Sequence, residues 1–241
     1  MRTICVVSSS RADYDLLRGV IQGVLNSESL DLQLIITGMH LDPAFGDTCK
    51  AVEADGFPIA WRVPMLDDSD DGAGVSRAIG RGVLGFTDAL EDLSPDVLLL
   101  LGDRFELLCA AASALVMRIP IVHIHGGETT ERAFDEAIRH SITKMSALHF
   151  VAADTYRQRV IQLGEDPNTV HVVGGLGVDA IAQTPLMTST ALEEHLGIRL
   201  LNRSLLVTFH PVTLDFNSSE DQLQELLAAL EEFADTTIIM T

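Results

Sequence analysis

The sequence predicts an α/β fold of the doubly wound, Rossmann type: a parallel sheet with helices on both faces. Three observations predict it. Short apolar runs alternate with segments of helical spacing through the first 175 residues. The run 97–101 is apolar at every position, as a central parallel strand covered on both faces must be. Clusters of polar residues and glycine follow the apolar runs, where open α/β sheets hold their ligands.

The elements follow in order. Residues 3–7 form an apolar β-type run, and Leu16, Leu17, Val20, Ile21, Val24 and Leu25 then keep helical spacing, with Asp13 near the helix start. Residues 32–37 are the next strand, closed by Gly38, and 59–63 a further short one. Val75, Ile79, Val83, Phe86 and Leu90 form a helical stripe that Ser94-Pro95 breaks. After strand 97–101, the alanine- and leucine-rich stretch 105–117 reads as a buried helix, and 120–124 as a strand. Residues 134–146 form a helix with Ile138, Ile142 and Met145 inward. Strand 149–152, helix 155–163 and strand 170–173 continue the alternation.

Gly174, Gly175 and Gly177 interrupt the pattern, so we expect a first domain over 1–175 and the start of a second over 176–241. In the latter, 192–196 and 222–233 read as helices, and 205–209 and 237–240 as strands. The sequence ends on a strand with no helix after it. Two strands do not complete an α/β domain, so the second Rossmann-like domain is expected to be incomplete.

Bulk properties exclude several classes. Of 241 residues 47% are apolar, enough for a sizeable core. A formal charge of −19 disfavours nucleic acid and anionic membrane surfaces as partners. The acidic cluster Asp67, Asp68, Asp70 and Asp71 reads as a solvated loop. No run has the length of a membrane span, and the start lacks the features of a signal peptide. Cys5, Cys49 and Cys109 show no metal spacing; Cys5 and Cys109 lie in apolar runs and read as core residues of a reducing, cytoplasmic compartment.

Five polar clusters could carry chemistry. Ser8-Ser9-Ser10-Arg11-Ala12-Asp13 offers a helix start and a guanidinium to an anion, or is a hydrogen-bonded turn with a surface arginine. There is no G-x-G-x-x-G, so a dinucleotide fingerprint is missing. In Gly102-Asp103-Arg104-Phe105-Glu106 the carboxylate after the strand is a helix cap or a catalytic group. His123-Ile124-His125-Gly126-Gly127-Glu128 lets a ligand approach the backbone at the glycines. No further ligand stands at fixed spacing from its histidines, so a metal is not expected. Asp135 and Arg139 are a helical turn apart and can pair, with His140 beside them. Finally, Pro211 ends a strand and presents His210 in a loop. Carboxylates, histidines and arginines at strand ends suit a negatively charged sugar nucleotide and proton transfer on its sugar. They do not suit hydride transfer or, without G-x-S-x-G, serine acyl transfer.

These motifs resemble a known family. S-R-A-D-Y at 10–14, I-T-G-M-H-L-D-P-A-F-G at 36–46, G-D-R-F-E at 102–106, P-I-V-H-I-H-G-G-E-T-T-E at 120–131, A-F-D-E-A-I-R-H-S-I-T-K-M-S-A-L-H-F at 133–150 and F-H-P-V-T-L at 209–214 are similar to the hydrolysing UDP-N-acetylglucosamine 2-epimerases. The resemblance runs from about residue 3 to the end and implies a GT-B arrangement of two Rossmann-like domains, with neither metal nor nicotinamide. It implies removal of the C2 proton, expulsion of UDP to leave 2-acetamidoglucal, and hydration to N-acetylmannosamine, as in sialic acid-type biosynthesis. A hydrolysing enzyme for a UDP-2,4-diacetamido-trideoxyhexose, or a nucleotide-sugar-binding fragment without turnover, are the alternatives.

By motif position Asp103, Glu128 and Asp135, with His125, are implied as the acid/base groups. Arg11, Arg104 and His210 are implied as substrate and UDP contacts, and His123, Arg139 and His140 as the polar shell around the substrate. Two departures stand out. Some relatives, the non-hydrolysing ones included, carry a catalytic glutamate where this sequence has His125, which leaves the identity of the base open. Arg132 replaces a usual glycine and is expected to strain the loop if that position needs glycine's freedom. The family's second half is expected to hold uridine and part of the diphosphate, so little or no activity is expected from these 241 residues alone. A homodimer or homotetramer is the expected assembly.

Overall fold

A computed structural model describes residues 1–130, 133–210 and 219–241, the side chain of Gln183 apart. The chain forms two compact units, 1–130 with 135–182, and 131–134 with 183–241.

The first unit is built on β1 (Arg2–Ser8), β2 (Leu30–Thr37), β3 (Ile59–Val63), β4 (Val97–Leu101), β5 (Ile121–Ile124), β6 (Leu148–Val151) and β7 (Val170–Val172). They pair in the order β3-β2-β1-β4-β5-β6-β7, every pair parallel. The order reverses between β1 and β4, where Ile4 lies beside Val97 and Val6 beside Leu99. At such a switch point the two outgoing connections diverge to opposite faces and leave a crevice at the carboxyl ends of the strands.

Helices α1 (Arg11–Leu25), α2 (Cys49–Ala54), α3 (Gly72–Leu93), α4 (Phe105–Met117), α5 (Asp135–Met145), α6 (Asp154–Gln162) and α7 (Leu176–Gln183) complete it. The pleat sends Leu98 and Leu100 to one face and Leu99 and Leu101 to the other. On the first face Leu98 and Leu100 pack with Phe86, Leu90, Leu107, Ala110 and Ile142 from α3, α4 and α5. On the second, Leu99 and Leu101 pack with Tyr14, Leu17 and Ile21 of α1 and Val52 of α2. Each fully buried leucine or isoleucine contributes about 1.5–3 kcal/mol relative to exposure, so these layers dominate the stability of the sheet. Cys5 and Cys109 lie in the core as expected, and burial pushes both thiols up to about 12.

The alternation read from sequence matches these elements, with boundaries shifted by a few residues. Two helices lay outside that reading. The six residues of α2 are too few to show periodicity. Helix α7 starts among the glycines that interrupt the pattern, directly after Gly175 and with Gly177 as its second residue, and Leu176 packs against the α1 side of the core. The acidic loop proves more than a solvated surface: Asp71 caps α3 by accepting from Gly74 N at 2.7 Å, and Asp67 pairs with Arg77 and Arg81.

The second unit holds α8 (Ser189–Leu196), β8 (Arg203–Val207), α9 (Ser219–Glu231) and β9 (Thr236–Met240), with β8 and β9 parallel. Among the described residues, no helix is long and apolar enough to cross a membrane.

Candidate functional site

The site grows from the switch point. Ser10 N-caps α1, and Asp13, three residues on, closes the capping box with the Ser10 backbone. Asp13 accepts from far more than that box requires. Ser9 N and Ser10 N donate to Oδ2 at 3.0 Å each, Ser9 Oγ donates at 2.5 Å, and the Ser8 hydroxyl reaches Oδ1. The carboxylate thereby fixes the whole β1–α1 turn. Ser8 Oγ also lies 2.9 Å from His40 Nε2, and His40 Nδ1 lies 2.7 Å from Thr48 Oγ1. Burial lowers the pKa of His40 below the usual imidazole range.

On the other side of the crevice, Gly102 turns the chain after β4 with φ +89°. His123, fully buried on β5, holds that turn: its Nε2 lies 2.8 Å from the Gly102 carbonyl oxygen. The carbonyl only accepts, so Nε2 carries the proton. Nδ1 lies 3.1 Å from Thr143 Oγ1, whose single hydroxyl proton it shares with the Arg139 carbonyl oxygen. Burial pushes His123 down to about 4, which keeps it neutral. His123 has no exposed surface, and its Nε2 contact is with the turn that carries Asp103.

Asp103 pairs with Arg139, which reaches over from α5 and also donates to Thr130 Oγ1 at 3.1 Å. The Asp135–Arg139 pair open to the sequence is not formed; the buried guanidinium turns across the helix to Asp103. Burial, reinforced by the charge of Asp135, raises the Asp103 pKa despite the Arg139 partner. Glu128 goes the other way. Burial opposes its ionisation, but the His125 hydrogen bond and the His125 and Arg139 charges together hold it below the usual carboxylate range.

His125 ends β5 in a left-handed conformation, φ +63°, costly for a side chain with a Cβ. That strain aims Nδ1 at Glu128 Oε1, 3.1 Å away, and leaves Nε2 enclosed without a partner among the described residues. Gly127, at φ +78°, leaves no room for a side chain without a shift of the backbone: a Cβ there would stand 2.5 Å from the Tyr156 carbonyl oxygen.

A cavity of about 240 Å³ lies between the two turns, lined by Ser10, Ala12, Asp13, Leu16, Leu101, Gly102, Asp103, Arg104, His125, Glu128 and Arg139. Five of the residues singled out from sequence (Asp103, Arg104, His125, Glu128 and Arg139) therefore meet in one place. Asp135 begins α5 at the same sheet edge but does not line the cavity. Arg11 stands exposed at the first position of α1. His140 lies 3.7 Å from Glu136 and away from the cavity wall. His210 belongs to the second unit, and Arg132 falls outside the described residues. Among the described residues no group of three or more histidine, cysteine or acidic side chains could hold a metal ion.

Sequence reasoning passed over Glu106 and His40. Glu106 is fully buried under the Gly102–Arg104 turn, and its Oε1 accepts from Arg104 Nη2 at 2.8 Å. An acidic residue in the first turn of an apolar helix was the available signal. His40 follows Gly38 at the end of β2, a strand end like the others.

Residues 23–241 match the profile of the UDP-N-acetylglucosamine 2-epimerase family. The chain is 40% identical over its whole length to the GDP/UDP-N,N'-diacetylbacillosamine 2-epimerase (hydrolyzing) of Campylobacter jejuni, of which it covers 62%. It is 38% identical over 98% of its length to the polysialic acid biosynthesis protein P7 of Escherichia coli, of which it covers 60%. The chain thus spans about 60% of the length of these relatives. Among solved structures, the UDP-GlcNAc 2-epimerase of Neisseria meningitidis, bound to UDP-GlcNAc, superposes with a TM-score of 0.81 at 17% identity, over all of this chain and 65% of that one. The likeness is one of fold, and it agrees with the α/β, GT-B-like class expected from the sequence.

Proposed function

The chain belongs to the UDP-N-acetylglucosamine 2-epimerase family, and from that premise we propose that it serves a hydrolysing 2-epimerase acting on a nucleoside-diphosphate 2-acetamido sugar. One observation carries the reading: Asp103 and Glu128 border one cavity with their ionisation pushed in opposite directions, beside Arg104 and Arg139. Carboxylates separated in this way suit a reaction that takes a proton at one stage and returns one at the next.

In the proposed reaction a base removes the C2 proton while the C1–O bond to the diphosphate breaks, giving a 2-acetamidoglucal and free UDP. Water then adds its hydroxyl to C1 and a proton enters C2 on the opposite face, releasing the 2-epimer of the free sugar. Asp103, whose raised pKa makes its ionised form the stronger base, is assigned to the C2 proton. Glu128 and His125 are assigned together to the second stage, and Asp135 as a third carboxylate at the edge. Arg104 and Arg11 are assigned to the diphosphate as cations, and His210 is assigned to the nucleotide. Arg139 and His140 support the carboxylates. No metal or nicotinamide enters this scheme.

The similarity to the C. jejuni protein favours a 2,4-diacetamido-trideoxyhexose as the sugar. The family's description, UDP-N-acetylglucosamine 2-epimerase, with the similarity to a polysialic acid biosynthesis protein, supports a second reading, UDP-N-acetylglucosamine converted to N-acetylmannosamine. Incubating the full-length gene product with UDP-N,N'-diacetylbacillosamine, its GDP counterpart and UDP-N-acetylglucosamine, and identifying the released sugar, tests both. Recovery of a UDP-linked 2-epimer, with the nucleotide retained, would refute the hydrolysing reaction. A reducing cytoplasm, supported by the unpaired cysteines, and a homodimer or homotetramer complete the proposal.

A further inference from the structure

Glu106 is a buried acidic residue with no part in the proposed reaction. It has no exposed surface, yet its Oε1 has one side-chain partner, Arg104 Nη2 at 2.8 Å, and Oε2 has none among the described residues. Enclosing a carboxylate with so few bonds is costly, and a partner charge seldom repays the desolvation. A position in the first turn of α4 offsets only part of that cost through the helix dipole. The surroundings are shaped to this carboxylate. At Gly38, φ +55°, a Cβ would stand 2.7 Å from Glu106 Oε1 and 2.9 Å from the Ser9 carbonyl oxygen. The end of β2 thus passes over Glu106 at a distance only glycine allows. On the other side, Arg104 is the N-cap residue of α4 but makes no side-chain cap. Its guanidinium lies between Glu106 and the cavity that Asp103 and Glu128 border.

We propose that Glu106 is the positioning residue for Arg104: it pins one edge of the guanidinium so that the other edge meets the diphosphate of a nucleoside-diphosphate sugar, and Gly38 is the backbone gap that admits it. The inference rests on the reading of Arg104 as a diphosphate contact. A guanidinium presents parallel N–H donors to phosphate oxygens, and a fixed orientation lets it do so with little loss of freedom on binding.

The test is a double-mutant cycle on UDP affinity in the full-length gene product, by titration calorimetry, with Arg104→Met, Glu106→Gln and the double variant. A hydrogen bond to a charged group is worth about tenfold or more in affinity. Arg104→Met is expected to weaken UDP binding by at least about that factor, Glu106→Gln by about tenfold, and the double variant no more than Arg104→Met alone. Should Glu106→Gln fail to fold, Gly38→Ala displaces the same carboxylate and is expected to weaken UDP binding likewise. Arg104→Met weakening UDP while Glu106→Gln leaves it unchanged would overturn the inference, as would independent, multiplying effects. A silent Arg104→Met would overturn the diphosphate contact and this inference with it. Preserved coupling in a protein that releases no epimerised sugar would support the inference and refute the reaction instead.

Discussion

Replacing His123 with glutamine tests the architecture beneath the site, because the buried imidazole is expected to write itself into the pH dependence of stability. In the folded protein burial holds His123 down to about 4, against an ordinary value of 6.5. The sign follows from proton binding. Between these values the unfolded chain binds a proton at this residue and the folded chain does not, so acid favours unfolding. The contribution is intact above the unfolded value and is lost as pH falls from about 6.5 towards 4. At 1.36 kcal/mol per pKa unit, lowering the pH from 7 to 5 removes about 2 kcal/mol, and the full shift is worth about 3 kcal/mol. His123 is completely buried, so no discount for solvent screening applies. His40 and His149 are also lowered by burial and steepen the same limb, so the difference between wild type and variant isolates His123. At pH 7 His123→Gln is expected to cost about 1–3 kcal/mol, through imperfect replacement of the bonds to Gly102 and Thr143. That cost should shrink by about 2 kcal/mol at pH 5, where wild type alone carries the penalty. Urea unfolding followed by the fluorescence of Trp61, the chain's one tryptophan, reads this on the sheet itself. Wild-type and variant stabilities that run parallel from pH 7 to 5 would show that His123 titrates normally and does not hold Gly102 as a neutral ring.

Three further outcomes are expected. Asp103→Asn in the full-length gene product should lower kcat by about 10² to 10⁴ with KM little changed, since a proton-transferring carboxylate acts in the transition state; an unaltered kcat in steady-state assays leaves Asp103 a structural partner of Arg139. Glu128→Gln should move the pH–rate profile as well as its height, because it removes the partner that orients His125; a profile lowered without change of shape would separate the two residues. Gly127→Ala should destabilise by more than about 1 kcal/mol, from its left-handed φ and the contact with the Tyr156 carbonyl, measured by thermal unfolding; a wild-type midpoint would show that the turn shifts freely.

The sequence by itself determined the sheet. The unbroken apolar run of Val97–Leu101 requires a strand covered on both faces, and the helical spacing from Leu16 to Leu25 supplies one cover. It also placed Asp103, His125 and Glu128 after strands, and therefore at the sheet edge where a switch point opens. That much is local: period, apolarity and turn residues act over a few positions. Pairing is not local, and only the tertiary structure decided it. Arg139 had Asp135 one helical turn away, yet it reaches Asp103, 36 positions distant in sequence, because α5 packs against α4 and β5. Glu106 had no role legible in the sequence; the chain after β2 brings Gly38 against it, so that a Cβ there would stand 2.7 Å from its Oε1. His123 and His125 are two residues apart and look equivalent in sequence. One lies under the turn, neutral and sealed, while the other is turned by a left-handed residue towards Glu128. Burial sets the charge of such groups, and burial is a property of what the rest of the chain lays across them.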